Sequence, residues 1–102
     1  MWNKPSITEL KQVPELYSTE NVSLKDKIIY LHLFIGGSDW YIAEIDYQDF
    51  DTMFGYCILN GDLEMAEWGY VSLSELCSIS VRGIEVDRDL HWKPIPFSQI
   101  KI

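Results

Sequence analysis

Residues 27–47, KIIYLHLFIGGSDWYIAEIDY, contain the clearest signal of secondary structure in the chain. This stretch holds two runs rich in β-branched and aromatic side chains, residues 27–35 and 40–47, separated by Gly-Gly-Ser-Asp. Such runs favour β-strands, and glycine tolerates the positive φ that a tight hairpin requires. The stretch therefore predicts an antiparallel hairpin with a four-residue loop, in which Leu33 faces Ile42 across the ladder.

Both faces of this hairpin are largely apolar, because side chains along a strand alternate between the faces with a period of two. One predicted face carries Ile28, Tyr30, His32, Phe34, Tyr41, Ala43, Ile45 and Tyr47. The other carries Ile29, Leu31, Leu33, Ile35, Trp40 and Ile42, and ends in Glu44 and Asp46. A sheet that is apolar on both sides must be covered twice, by helices, by chain termini or by a partner.

Working outward, the sequence predicts two further strands, at 53–59 and 66–71, and two short helices, at 6–13 and 72–78. Both helices begin at Ser-x-x-Glu, the capping-box spacing in which a serine hydroxyl and a glutamate carboxylate bind free backbone N–H groups. Prolines make 84–102 an extended tail. The predicted fold is α+β, a single domain with a four-stranded antiparallel meander, one helix before it and one after strand four.

The composition excludes several classes of protein. The 102 residues are 47% hydrophobic and 14% aromatic, which excludes a disordered chain, and no run of about 18 apolar residues is present to span a membrane. A formal net charge of −8 argues against direct binding to nucleic acid and favours basic proteins or cations as partners. Two cysteines without a visible signal peptide predict free thiols in a reducing cytoplasm.

The charge is also unevenly distributed along the chain. Residues 28–81 contain no Lys or Arg but nine acidic residues. Glu44 and Asp46 would lie about 6.6–6.8 Å apart on one strand face, close to twice the 3.4 Å rise per nucleotide of DNA. This segment is either a surface that docks on a basic groove or a solvated face that maintains solubility. The candidate partner-binding residues are Asp39, Trp40, Glu44, Asp46, Asp49, Asp51, Asp62, Glu64, Glu67 and Trp68, with the tryptophans as aromatic anchors.

Metal and cofactor sites have little support in the sequence. The loop 46–51 offers oxygen ligands for Ca²⁺ but lacks the alternating acids and central glycine of an EF-hand. His32, Cys57, Cys77 and His91 are residue types that bind zinc, yet no paired zinc-ligand spacing is present. No metal and no cofactor are therefore expected.

One segment of the tail has two interpretations. Asp89 and His91 could form a proton-handling pair, because residues two apart share a face of an extended chain. The favoured interpretation is a structural clamp of Arg88, Asp89 and His91, in which the arginine ties the tail to Glu67 or Glu44. No nucleophile or second base accompanies the pair, so the chain is predicted not to be an enzyme.

Four blocks, Trp40–Asp46, Phe54–Cys57, Glu67–Leu76 and Asp87–Trp92, together resemble a known family. Over residues 14–100 the chain resembles the small bacterial family called domain of unknown function 2958, whose members are typical of plasmids, integrative elements and phages. The resemblance implies a role in the contest between mobile DNA and its host, and it supplies no reaction to carry over.

These observations predict a small non-enzymatic binding protein of a mobile element. It would inhibit a host nucleic-acid-handling or defence complex, of the anti-CRISPR or antirestriction type, by occupying the basic surface of that complex. Neither nucleic acid nor a membrane is an expected partner. The alternative is a homodimeric structural or regulatory accessory module, in which the surplus apolar sheet face closes against its twin.

Overall fold

The computed structural model describes all 102 residues. In chain order, the elements are α1 (Ile7–Leu10), β1 (Ile28–Ile29), β2 (Leu31–Ile35), β3 (Ser38–Ile45), β4 (Thr52–Ile58), β5 (Glu67–Ser72), α2 (Leu73–Cys77), β6 (Ser80–Val81), β7 (Ile84–Glu85), β8 (Asp87–Arg88) and β9 (Ile95–Pro96). Single 3₁₀ turns lie at Leu24–Asp26 and Phe97–Gln99.

The main sheet is antiparallel and has the strand order β5-β4-β3-β2-β8. The α+β class and the meander of β2 to β5 are confirmed, but the sheet has five strands instead of four. The fifth strand, β8, comes from the segment predicted as extended tail, and it pairs with β2. At two residues it is too short to show the alternation that identifies a strand in sequence.

The predicted four-residue hairpin loop is wrong. The turn consists of Gly36 and Gly37 alone, because Gly36 adopts a φ of +54° and Ile35 already pairs with Ser38. Leu33 therefore faces Trp40 instead of Ile42. The shift is two residues, which is the side-chain period of a strand, so the faces of β2 and of β3 as far as residue 43 remain as predicted.

Beyond residue 43 a β-bulge reverses the predicted faces. The pairing of β3 with β4 shifts between Ile42 and Glu44, so Ile45 joins Ile42 in the core and Glu44 turns to the other face. The backbones approach closely here, since a Cβ at Gly55 would collide with the Tyr41 carbonyl oxygen. The bulge therefore decides where the Glu44 carboxylate points.

The hairpin is also irregular at its first strand. Tyr30 separates β1 from β2, and its N–H donates to the Ile42 carbonyl at 2.9 Å. After this break Ile29 packs with Tyr41, on the face opposite to its prediction. The predicted strand 27–35 is thus two short strands with different orientations.

The helices and the N-terminal segment cover one face of the sheet. The capping box of α1 is confirmed, with Ser6 and Glu9 each accepting a backbone N–H of the other. In α2 the Ser72 hydroxyl accepts the N–H of Glu75. The core on this face comprises Leu10, Val13, Leu31, Leu33, Trp40, Ile42, Ile45, Met53, Leu73, Leu76 and Val86.

The C-terminal tail covers the opposite face, which is rich in aromatic side chains. Trp92 donates its indole N–H to the Ile29 carbonyl at 2.9 Å. Phe97 packs against Tyr56 and Trp68, with ring centroids 4.7 and 4.9 Å away. Both faces are therefore covered from within the chain, and the face expected to close against a twin is already occupied.

Candidate functional site

Glu44 is a buried structural residue, contrary to its predicted place on a docking surface. It is 3% exposed, and its carboxylate lies 3.5 Å from the ammonium group of Lys27, which is 6% exposed. The carboxylate also accepts the N–H groups of Tyr17 and Thr19, at 2.8 and 3.3 Å, and the Thr19 hydroxyl. Lys27 donates to the Thr19 carbonyl at 2.6 Å, so the pair fastens the loop 15–27 to the sheet.

The acids of the loop 46–51 are occupied by local hydrogen bonds. Asp46 accepts the N–H of Gln48 at 2.7 Å. The backbone N–H groups of Thr52 and then of Asp51 lower the pKa of Asp49. The Ser72 hydroxyl, followed by the N–H of Ser74, lowers the pKa of Asp51. These carboxylates shape the loop and hold the start of α2.

Neither predicted aromatic anchor stands free at the surface. Trp40 is 5% exposed and lies in the core beneath the helices. Trp68 is half-buried between the rings of Phe54, at 5.5 Å, and Phe97. An anchor must be free to enter a pocket of the partner, so Trp40 cannot serve as one.

Asp39 belongs to a polar cluster on the aromatic face of the sheet. Its carboxylate lies 2.7 Å from Nε2 of His32, and the carboxylate of Asp89 lies 3.4 Å from Nδ1 of the same ring. The imidazole stacks on Tyr41 with centroids 4.6 Å apart. Burial, and then the charges of Asp39 and Asp89, raise the pKa of Tyr41. A shallow cavity of about 500 Å³, with His91 on its wall, opens over this cluster.

The predicted clamp exists with a different partner. Arg88 binds Glu9 of α1 at 2.6 Å, not Glu67 or Glu44, and this hydrogen bond is the main reason that the pKa of Glu9 is lowered to about 2. Asp89 accepts the backbone N–H of His91 at 3.0 Å and directs its second oxygen to His32. The alternative interpretation, a proton-handling pair of Asp89 and the His91 ring, finds no hydrogen bond between the two side chains, since Asp89 binds the backbone of His91.

The acids of the sheet lie at its two ends. Asp46, Asp49 and Asp51 follow the C-terminal end of β3, whereas Asp39 lies at its N-terminal end. Seven strand steps of about 3.3 Å place these ends roughly 23 Å apart. The single acidic field expected from the sequence is not formed.

The remaining acids lie at the end of the sheet that carries the β2–β3 turn. Asp62, Glu64 and Glu67 are exposed in and after the loop that joins β4 to β5. This loop is fixed to the β2–β3 turn, because Gly61 donates to the Gly37 carbonyl at 2.8 Å. Three large apolar side chains of the same loop are also exposed: Leu59, Leu63 and Met65.

An apolar groove of about 570 Å³ lies beside this loop. Its walls come from the β2–β3 turn, the start of the β4–β5 loop and the hairpin of β6 and β7. The residues that line it are Ile35, Gly36, Gly37, Ser38, Trp40, Leu59, Asn60, Ile79, Val81, Arg82 and Ile84. We call this groove, with the loop residues 61–67, the turn-end surface.

Sequence reasoning found the acids of the turn-end surface and missed its apolar part. Val81 and Ile84 are exposed on a two-residue hairpin whose turn is Arg82-Gly83, both with positive φ. The Arg-Gly pair between two β-branched residues was the available signal for this turn. The groove itself depends on elements from three parts of the chain, which no local pattern shows.

These features define a small α+β protein with a five-stranded antiparallel sheet, and comparison places it in a family. The chain belongs to the family described as protein of unknown function DUF2958, whose model matches residues 9–99. Comparisons with curated proteins and with solved structures find no match.

Two further observations concern metals and membranes. No group of three His, Cys, Asp or Glu side chains is arranged to hold a metal ion. His32 in particular lies on the opposite face of the sheet from the cluster around Cys57 and Cys77. None of the helices has the length and apolar character needed to cross a membrane.

Proposed function

We propose that this protein is a non-enzymatic binding module that uses its turn-end surface to dock on a basic surface of a partner protein. The observation that carries the proposal is an apolar groove next to a loop with three exposed acids and with exposed apolar side chains such as Met65, which is 75% exposed. Large apolar side chains that remain in water beside a groove are typical of a protein interface.

The two chemical parts of the surface have different roles in this proposal. Burial of Leu63 and Met65 against the partner supplies favourable free energy of association, which must exceed the cost of ordering both proteins. The exposed carboxylates of Asp62, Glu64 and Glu67 steer a basic partner into place and raise the association rate. Binding should therefore weaken as the salt concentration rises.

The proposed mode is docking on a protein patch and not imitation of a phosphate chain. Arg82 lies among the groove residues, so the turn-end surface carries both signs of charge. Two acids that a row of carboxylates spaced like DNA phosphates would need are paired within the chain, Glu44 with Lys27 and Asp39 with His32. A partner with lysines or arginines around an apolar projection would match this surface.

The non-enzymatic part of the proposal rests on the polar cluster around His32. A general base needs a ring nitrogen that can take a proton from the substrate. Here both nitrogens face carboxylates, Nε2 that of Asp39 and Nδ1 that of Asp89. We infer that the cluster joins β2, β3 and the tail instead of catalysing a reaction.

The proposed class of partner is a bacterial nucleic-acid-handling or defence complex, which the protein would inhibit by occlusion. Such complexes carry the basic surfaces that an acidic protein can occupy. The resemblance to a family of plasmids and phages suggests this class, and the role in the bacterial cytoplasm is part of the proposal.

Affinity capture from a nuclease-treated bacterial lysate tests the proposal. The variant Glu64→Lys/Met65→Ser changes two exposed residues whose side chains make no hydrogen bond within the chain. The matched control Glu20→Lys/Val22→Ser makes the same change of charge and also replaces an exposed apolar side chain by serine, on a segment elsewhere. Wild type and control should retain the same partner at low salt and release it at high salt, and the variant should lose it. A variant that captures this partner as well as wild type does would refute the docking site.

A further inference from the structure

The two edge strands of the main sheet differ in whether a further segment of the chain pairs with them. At the β8 edge the N-terminal segment adds a parallel bridge, with the Trp2 N–H donating to the Val86 carbonyl at 2.9 Å. At the other edge β5 has β4 as its one neighbour. Leu73 donates its N–H to the Asp51 carbonyl, which continues the ladder between β4 and β5. Because backbone groups along a strand alternate in direction, the N–H and C=O groups of the odd-numbered residues of β5 point toward β4. The N–H and C=O groups of Trp68 and Tyr70 therefore point away from the sheet.

The β5 edge has few of the features that block strand pairing, because its one charged residue, Glu67, lies at its first position. It contains no proline and no lysine, and its register with β4 runs without a bulge from residue 67 to residue 72. Edges that stay unpaired usually carry such blocking features. Tyr70 is 57% exposed, and nothing lies within 4 Å of the Cβ position of Gly69. A strand that pairs with this edge therefore finds open space on the face of the sheet to which Gly69 points.

The sequence of β5 is complementary to itself in the antiparallel direction. When Gly69 pairs with Gly69 of a second copy, Trp68 lies opposite Tyr70, and Glu67 lies opposite Val71. Residue 68 of each copy then exchanges two backbone hydrogen bonds with residue 70 of the other copy, which gives four hydrogen bonds in total. The two Glu67 carboxylates are offset by four residues, about 14 Å along the strands, so like charges do not meet.

We propose that β5 pairs antiparallel with β5 of a second copy of this chain, about a two-fold axis at Gly69, which joins two five-stranded sheets into one. The aromatic pair of Trp68 with Tyr70 occurs twice and adds to the backbone bonds. This proposal shares Glu67 with the turn-end surface but rests on a different observation, the unpaired edge of β5, and it differs in salt dependence. Two chains of charge −8 repel each other, so rising salt should strengthen the dimer, while it weakens docking on a basic partner.

Light scattering after size exclusion, over a hundredfold range of concentration, measures the dimer directly. Wild type should approach twice 11.9 kDa, and salt should lower the concentration at which it does so. Tyr70→Pro removes an outward N–H on an edge strand, where proline is tolerated, and should be monomeric. The control Tyr70→Phe keeps the backbone donor and should dimerise like wild type. A wild type that stays at 11.9 kDa at every concentration would overturn the proposal.

Disulfide trapping tests the register and does not depend on the proline variant folding. Residues opposite each other in a non-hydrogen-bonded antiparallel pair have Cα atoms about 4.5 Å apart, within the range of a disulfide. Gly69→Cys should therefore give a covalent dimer under mild oxidation. Gln12→Cys, exposed near Arg88 at the other edge of the sheet, is the matched control and should not. Equal cross-linking of the two variants, or none at residue 69, would contradict the proposed axis.

Discussion

Replacement of Glu44 by glutamine should strongly destabilise the protein, although the two side chains have almost the same shape. The carboxylate is 3% exposed and is surrounded by donors: the N–H groups of Tyr17 and Thr19, the Thr19 hydroxyl and the Lys27 ammonium. A glutamine would direct its NH₂ group at one of these donors and would leave Lys27 buried without a counter-charge.

The size of the effect follows from this burial. Breaking a buried ion pair by removing one partner typically costs about 3–5 kcal/mol. A chain of this length has a total free energy of unfolding of about 5–15 kcal/mol, so the loss is a large fraction of it. With a urea m-value of about 2 kcal/mol per molar, the midpoint of unfolding should fall by roughly 2 M.

Urea unfolding followed by the fluorescence of the four tryptophans measures the change. The matched control is Glu64→Gln, at an exposed acid, which should shift stability by less than about 0.5 kcal/mol. The double variant Lys27→Met/Glu44→Gln should lose less than the sum of the two single variants, because both charges are then absent. A loss below about 1 kcal/mol for Glu44→Gln would show that the carboxylate is solvated and that the burial argument is wrong.

Three further predictions concern titratable groups. The Arg88 hydrogen bond lowers the pKa of Glu9 to about 2 from 4.5, so the pair stabilises the protein above pH 4.5 and is lost as the pH falls toward 2. Urea melts of Glu9→Gln should therefore depend less on pH between pH 5 and 2 than those of wild type. Asp51→Ala should lower the free energy of unfolding by about 1 kcal/mol, as for a lost helix cap, and unchanged melts would contradict its role in holding α2. Burial, and then the charge of Glu67, raise the pKa of Cys57. Iodoacetamide should accordingly alkylate this thiol more slowly at pH 8 than free cysteine, and faster in Glu67→Gln, as mass spectrometry of the peptide can determine.

The strands of the meander were predictable because their chemistry is local. The β-branched and aromatic runs of β2 and β3 sit on either side of Gly36-Gly37, and the period of two held as far as residue 43. Within β3, what was not predicted is the position of one extra residue. The bulge between Ile42 and Glu44 depends on close contact with Gly55 of the next strand, and no pattern within β3 reveals it.

The candidate site was less predictable than the fold, because the sequence does not show whether an acidic side chain points to solvent or into the protein. Glu44 and Glu64 lie in the same acidic segment, yet one is buried against Lys27 and the other is exposed. Burial of Glu44 depends on a loop that returns from residues 15–27, and the partner of Arg88 comes from α1, 79 positions away. Long-range pairs of this kind are fixed by tertiary packing and not by spacing.

Amide hydrogen exchange of the protein, free and in complex with its captured partner, tests whether the turn-end surface is the binding site. Protection on binding should be confined to the loop residues 59–67, the β2–β3 turn and the hairpin at residues 80–85, which together form the turn-end surface. Protection of the loop 46–51 at the opposite end of the sheet, with residues 59–67 unchanged, would contradict the assignment of this surface as the binding site.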